Sequence, residues 1–274
     1  MRRPFEIVLA LAAGLAVAFL ALPLVALFVR VSPSTLISAL GDPAVREAVF
    51  VSVRTTLIAH AIVLIIGTPA AYLLATRRFR GRGAILTAFE LPLVLPPAVA
   101  GLALLAAFGR QGLLGGSLDA LGLNIPFTQI AVVMAIIFVS SPFYLRWGVS
   151  AFEAVDPRLL DASRTLGAGP AKTFRRVALP LAAGGLGTAS SLAWARGLGE
   201  FGATIMFAGS FPGETRTLPL AVYAEFDRDF DVALAIGALL VVASLAILAT
   251  IRLLFSWTRS PSTSPYRSAR STSA

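Results

Sequence analysis

The sequence predicts an all-α membrane protein with six transmembrane helices and both termini in the cytoplasm, and three observations predict it. Of the 274 residues, 57% are hydrophobic and only 14% charged, whereas soluble domains average about 45–50% apolar and about 25% charged residues. Six stretches, 6–29, 47–76, 84–108, 126–150, 181–208 and 231–257, reach the length of about 20 mainly apolar residues that a helix needs to cross a hydrocarbon core about 30 Å thick. The basic residues, finally, are dense in alternate connecting segments, the pattern of cytoplasmic loops.

The first span, 6–29, follows Arg2 and Arg3 and so invites a signal-peptide reading. Its apolar run is too long for that, and no small-residue cleavage site ends it before Pro33, so it reads as a retained helix. The second, 47–76, holds the single histidine, His60. The third, 84–108, contains Glu90, Pro92, Pro96 and Pro97. Prolines interrupt backbone hydrogen bonding, and at membrane depth such breaks are tolerated only against protein or a water-filled cavity. Pro96 and Pro97 are therefore candidate pathway residues. After the fourth span, 126–150, comes a basic loop at 151–180, and the fifth, 181–208, carries Arg196 and Glu200 one helical turn apart, close enough to pair. An ion pair at depth either faces the bundle interior or a wet pathway, or pins two helices together. Gly197, Gly199 and Gly202 remove side chains in the same region, where backbones or a substrate come close. Arg196, Glu200, Gly202 and Thr204 complete the pathway candidates. The sixth span is 231–257. The residues 259–274 are rich in Ser, Pro and Arg and read as a disordered cytoplasmic tail, leaving 1–258 as one transmembrane domain.

Orientation follows from the positions of Lys and Arg. One side carries Arg2, Arg3, Arg77, Arg78, Arg80, Arg82, Arg146, Arg158, Arg164, Lys172, Arg175, Arg176, Arg252, Arg259, Arg267 and Arg270; the other carries Arg30, Arg46, Arg110, Arg216 and Arg228. Arg54 and Arg196 fall within predicted helices. The denser side faces the cytoplasm, which puts both termini and the 151–180 loop there. The net charge of +9 thus reports topology and not nucleic-acid binding.

Composition also removes several chemistries. Without cysteine there is no disulfide framework, thiol nucleophile or cysteine metal site. One histidine excludes a histidine-rich metal cage. No G-x-x-x-x-G-K-[ST] sequence is present, so the chain does not cradle a nucleotide. His60 has no nucleophile or metal partner nearby in sequence and reads as a packed neutral side chain. No catalytic residue, cofactor or metal site is expected.

The 151–180 loop is the most specific segment. Asp156-Pro157 reads as an N-cap and first helical residue; Leu159, Leu160, Ala162, Ser163 and Leu166 then give a short helix one small or apolar face, stopped by Gly167 and Gly169-Pro170. Such a helix either docks into a groove on another protein or lies on lipid headgroups. Asp161-Ala162-Ser163, Gly167, Val177, Leu179 and Pro180 resemble, in register, the E-A-A-x3-G-x9-I-x-L-P motif of the permease subunits of bacterial ABC importers. Asp stands for Glu, Ser for the second Ala and Val for Ile. In that family the loop is a coupling helix seated in a cleft of the ATPase, which implies a coupling role for these seven residues.

The block from Glu200 to Gly209, with Phe211-Pro212-Gly213, Thr215, Thr217-Leu218-Pro219-Leu220 and Tyr223, is similar to permeases of the molybdate/sulfate type, as is Glu90 to Pro97. Glu-Phe-Gly-Ala is shared with the sulfate branch; Thr-Ile-Met-Phe-Ala-Gly and Thr-Leu-Pro-Leu are the more molybdate-like words. The resemblance spans roughly 47–257. It implies an ABC-importer permease for a tetrahedral oxyanion, molybdate or tungstate, with sulfate as the alternative. It also implies a homodimer in membrane lipid, a cytoplasmic ABC ATPase dimer and an extracytoplasmic oxyanion-binding protein, docking where the 209–230 loop offers Glu214, Arg216 and Asp227. A secondary transporter, the remaining rival, would show inverted repeats, and 1–130 and 131–257 show none convincing.

Overall fold

The computed structural model describes residues 2–256, and the predicted tail at 259–274 lies outside them. Among the described residues every regular element is a helix. In chain order these are α1 (Arg2–Arg30), α2 (Pro33–Gly41), α3 (Pro43–Thr76), α4 (Arg82–Val94), α5 (Pro97–Phe108), α6 (Gly115–Ala120), α7 (Gln129–Glu153), α8 (Pro157–Thr165) and α9 (Pro170–Thr173). A π turn (Phe174–Ala178) then runs into α10 (Leu179–Leu198), followed by α11 (Gly202–Ala208), α12 (Leu218–Phe226) and α13 (Phe230–Ser256).

Each of the six predicted stretches is helical, but two are not continuous. The third is a pair, α4 and α5, bent by 117° at Leu95 and Pro96. A residue before proline is pushed out of the helical region. Here Leu95 precedes Pro96 and Pro96 precedes Pro97, and both are extended, with ψ of 133° and 135°. The fifth stretch stops ten residues short of its predicted end, at Leu198, and resumes as α11 after Gly199-Glu200-Phe201. Five helical segments are long and apolar enough to cross a membrane singly, six with the bent pair counted as one span. The short helices α2, α6 and α12 fall in segments that the span pattern leaves blank.

The centre of the bundle is α7, which packs against α3, α10, α5 and α11. Small residues permit the approach: a Cβ on Gly197 would sit 2.9 Å from Ile136 of α7, and one on Gly185 2.5 Å from Ala151. One buried cluster joins α3, α7 and α10 around Tyr144, Leu145 and Leu186, and a second joins α5, α7 and α11 around Val132, Ile136 and Phe207. His60 is buried as predicted, its Nε2 2.8 Å from Ser190 Oγ and its ring edge-on to Trp194 at 4.9 Å. By contrast α1 touches the rest of the chain mainly along α13, and its apolar side chains stand exposed.

Candidate functional site

Two constructions stand out, one at the end of the bundle and one inside it. The first is the 156–180 loop. Asp156 caps α8, accepting a 2.9 Å bond from the Arg158 amide, with Pro157 in the first turn as expected. The helix ends on Gly167, whose φ of +81° lies in the left-handed region. The Gly167 amide donates to Arg164 O at 2.9 Å and the Ala168 amide to Ser163 O at 3.0 Å, the paired closing bonds of a Schellman cap.

A nine-residue helix is marginal by itself, and tertiary contacts hold α8. Leu160 is 7% exposed, in the cluster of Phe152, Val155, Ala178 and Ala182. Fully burying such a side chain is worth about 1.5–3 kcal/mol. Ser163 Oγ lies 3.0 Å from Oγ1 of Thr173, itself fully buried. The apolar face read from the sequence is therefore split. Leu160 and Ser163 turn inward and fasten the helix, while Leu159, Ala162 and Leu166 turn outward, Leu166 at 87% exposure. The reason is angular, since at 100° per residue Leu160 stands well away from the other three. Asp161 is also outward, 3.0 Å from Arg164.

Beyond α9 the chain widens into the π turn, closed by the Leu179 amide donating to Phe174 O, five residues back. Pro180 explains the widening. It cannot donate, and in a regular α-helix its ring would meet the carbonyl of Arg176. The turn directs Phe174 between Tyr72 of α3 and Phe152 of α7, with ring centroids 4.8 Å and 6.2 Å away. Val177 and Leu179 are half-buried against the same cluster. Nothing in the apolar pattern singled out Phe174.

The second construction is the break in the fifth stretch. Arg196 lies in the last turn of α10, and Glu200, past its end, reaches back so that Nη1 and Oε2 are 2.7 Å apart. The contact is an ion pair without the alignment of a directed hydrogen bond. The carboxylate is buried, at 1% exposure, and the guanidinium is 27% exposed. Glu200 Oε1 accepts a 2.7 Å bond from the Ala203 amide in the first turn of α11. One carboxylate thus joins both half-helices across the gap, which the expected pairing within one continuous helix did not include.

The two broken stretches meet. A Cβ on Gly202 would lie 2.6 Å from Pro97 Cβ, and one on Gly101 would lie 2.6 Å from Ala203 O and 2.7 Å from Met206 Cβ. The structure therefore brings Pro97, Gly202, Arg196 and Glu200 into one neighbourhood, with Pro96 at the adjoining corner. Thr204 is fully buried there and its hydroxyl has no hydrogen-bond partner among the described residues. Gly101, absent from the sequence-derived candidates, belongs with them; its only signal was a glycine within an apolar run.

The three loop candidates are not alike. Glu214 is exposed in the turn after Phe211. Arg216 folds back, its Nε 3.2 Å from Ser210 Oγ and its Nη2 3.3 Å from Ser210 O. Asp227 is exposed at the far end of α12. Among the described residues no group of three His, Asp or Glu side chains is placed to hold a metal ion.

Residues 64–257 match the family described as binding-protein-dependent transport system inner membrane component. The chain is 43% identical over 235 residues to the molybdenum transport system permease protein ModB of Mycobacterium tuberculosis, covering 85% of this chain and 88% of that one. It is 39% identical over 232 residues to the probable transport system permease protein NifC of Clostridium pasteurianum, covering 84% and 81%. Among solved structures it superposes on a chain of a bacterial ABC transporter involved in the import of the acidic polysaccharide alginate, with a TM-score of 0.71 at 14% identity, over 93% of this chain and 96% of that one.

Proposed function

The chain belongs to the family of binding-protein-dependent transport system inner membrane components, and from that premise we propose that it is the membrane-spanning subunit of a molybdate importer, with tungstate as a second cargo of the same shape and charge. It is a multi-pass permease of the inner membrane and not an enzyme; ATP hydrolysis belongs to a separate subunit. The observation that carries the cargo assignment is the 43% identity to a molybdenum permease over most of both chains.

A dianion cannot leave its hydration shell for hydrocarbon at any accessible cost. It needs a polar, walled path that opens alternately to the two sides. In our reading two copies of this chain, embedded in lipid, form that path, and the region of α5, α11, Arg196, Glu200 and Thr204 lines it. A break between half-helices can serve as a hinge, the kind of element that switching between access states uses. The 156–180 loop, through outward Asp161, Ala162, Leu159 and Leu166, seats in a cytoplasmic ATPase dimer, with Ser163, Gly167, Val177, Leu179 and Pro180 fixing its shape. Nucleotide binding there favours one access state over the other. Outside, Glu214 and Asp227 meet an oxyanion-binding protein, and Arg216 braces their loop.

The test is ATP hydrolysis by the complex reconstituted with its ATPase and binding protein. Molybdate and tungstate should stimulate it. A response to sulfate alone would move the chain to the sulfate branch. Topology is tested on the same material, since the chain has no native cysteine. Exposed Ser117, replaced by cysteine, should react with an impermeant maleimide from outside, and exposed Lys172, replaced likewise, only after lysis. The reverse pattern overturns both the orientation and the coupling assignment.

A further inference from the structure

At the end of the bundle that carries α8, the ends of α3 and α7 enclose a crevice lined by Arg77, Arg78 and Arg82, by Glu153, and by Phe152 and Leu160. The three arginines differ. Arg82 is committed: its Nε donates to Leu74 O at 2.6 Å and its Nη2 to Glu153 at 2.6 Å, which neutralises the one carboxylate at the site and fixes the start of α4 to the end of α7. Arg77 and Arg78 are exposed, and among the described residues neither side chain has an acidic partner within ion-pair distance. Two arginines adjacent in sequence thus line the crevice, neither with an acidic side chain within ion-pair distance among the described residues. The surface beside them is apolar and open: Leu73, one turn before Arg77 on α3, is 52% exposed, Phe79 is 41% exposed and Ile85 of α4 is 39% exposed. A fork of cationic donors matches the oxygens of a phosphate group, and the apolar strip next to it matches an acyl chain. No soluble anion uses both.

We propose that this crevice binds the phosphodiester headgroup of an anionic membrane lipid, Arg77 and Arg78 holding the phosphate while the acyl chains run past Leu73 and Ile85. The site rests on the reading that this end of the spans meets the cytoplasmic leaflet. A bound lipid would sit against Leu160 on one side and the Arg82–Glu153 bridge on the other, between the coupling loop and the bent third span.

The experiment uses the complex with its ATPase, in bilayer discs of phosphatidylcholine with a minor fraction of phosphatidylglycerol, and measures by native mass spectrometry the phosphatidylglycerol retained on release from the disc. Each arginine near an anionic surface is worth about fivefold in affinity, so Arg77→Gln with Arg78→Gln should weaken retention by about 30-fold, whereas Arg80→Gln, outside the crevice lining, should weaken it by no more than the fivefold of a single surface arginine. Equal retention in the double variant, or an equal loss with Arg80→Gln, overturns the site. So does displacement of the lipid by inorganic phosphate, which would make it a soluble-anion site, and so does loss of the ATPase from the double variant with lipid retention intact, which would make these arginines part of the ATPase contact. Cysteine labelling at Lys172 reports the orientation independently of the lipid measurement, so the two readings fail separately.

Discussion

Gly167 and Gly202 sit in two parts of the molecule that interrupt regular structure, and they are glycine for opposite reasons. Gly167 has a left-handed backbone, with φ of +81°, and nothing within 4 Å of where a Cβ would be. Gly202 needs no unusual backbone, but a Cβ there would meet Pro97 at 2.6 Å. The loop is constrained by its own chain geometry and faces outward; the break is constrained by what presses on it. Substitutions in the loop should therefore change what the protein does to a partner, and substitutions in the break should change whether the bundle holds together.

The largest expected effect belongs to the break. Arg196→Gln leaves the Glu200 carboxylate buried and uncompensated, and losing one partner of a buried pair costs about 3–5 kcal/mol. Adding Glu200→Gln removes the stranded charge, and its amide oxygen can still accept from the Ala203 amide, so the double variant should recover at least half of the lost thermal stability and activity. A double variant as damaged as the single one would mean that Arg196 serves something other than Glu200, the cargo included. Next is Gly202→Ala. Overpacking costs about 1–3 kcal/mol, read as a lowered melting temperature of the solubilised complex, and Gly202→Asn should be worse.

Gly167→Ala should cost about 1–2 kcal/mol, the strain of a left-handed residue, with Gly167→Asn milder because asparagine adopts that conformation readily. If alanine and asparagine rank the same way at both glycines, the contrast between the two regions is wrong. The smallest effect on stability is expected of Leu166→Ser. That side chain is exposed, so stability should stay within about 0.5 kcal/mol, yet capture of the ATPase should weaken. Unchanged capture with unchanged stability would remove Leu166 from the docking face.

Much of this architecture was legible because a membrane span is a composition signal. Runs of about 20 apolar residues are hard to mistake, and the ends of α3 and α7 and the start of α13 lie within a few residues of those predicted. The α8 cap and its glycine stop were legible for a related reason: Asp156-Pro157 and Gly167 act on their own backbone. What stayed hidden depends on neighbours. Leu160 and Leu166 are the same residue type on one short helix, and only the cluster under α8 decides which turns inward. Pro96-Pro97 announced a weakness in the third stretch, but its 117° bend reflects two successive residues forced out of the helical region while α5 lies down on α11. The stop at Leu198 was harder to foresee, because Glu200 accepts the Ala203 amide in place of a continuing helix. Gly101 shows only as a glycine within an apolar run, and Phe174 carries no local signal.

The π turn at Phe174–Ala178 carries one further consequence. Such a turn is an α-helix with one surplus residue, and in a helix one residue is worth 100° of rotation. The surplus acts as a phase setting between everything before it and everything after it. With it, Phe174 reaches the Tyr72 and Phe152 rings while Ala182 and Leu186 of α10 face the core. Deleting one residue between 174 and 178 together with Pro180→Ala, which lifts the ring from the carbonyl four residues back, would restore an ordinary helix and turn α8 and α9 about a quarter of the way around the axis of α10. Such a variant should insert and fold its spans, yet aim Leu159 and Leu166 away from the ATPase, leaving hydrolysis indifferent to cargo. If the 156–180 loop seats in the ATPase as proposed, that outcome would mean that this span transmits by angle as well as by push, with its length counted to the residue.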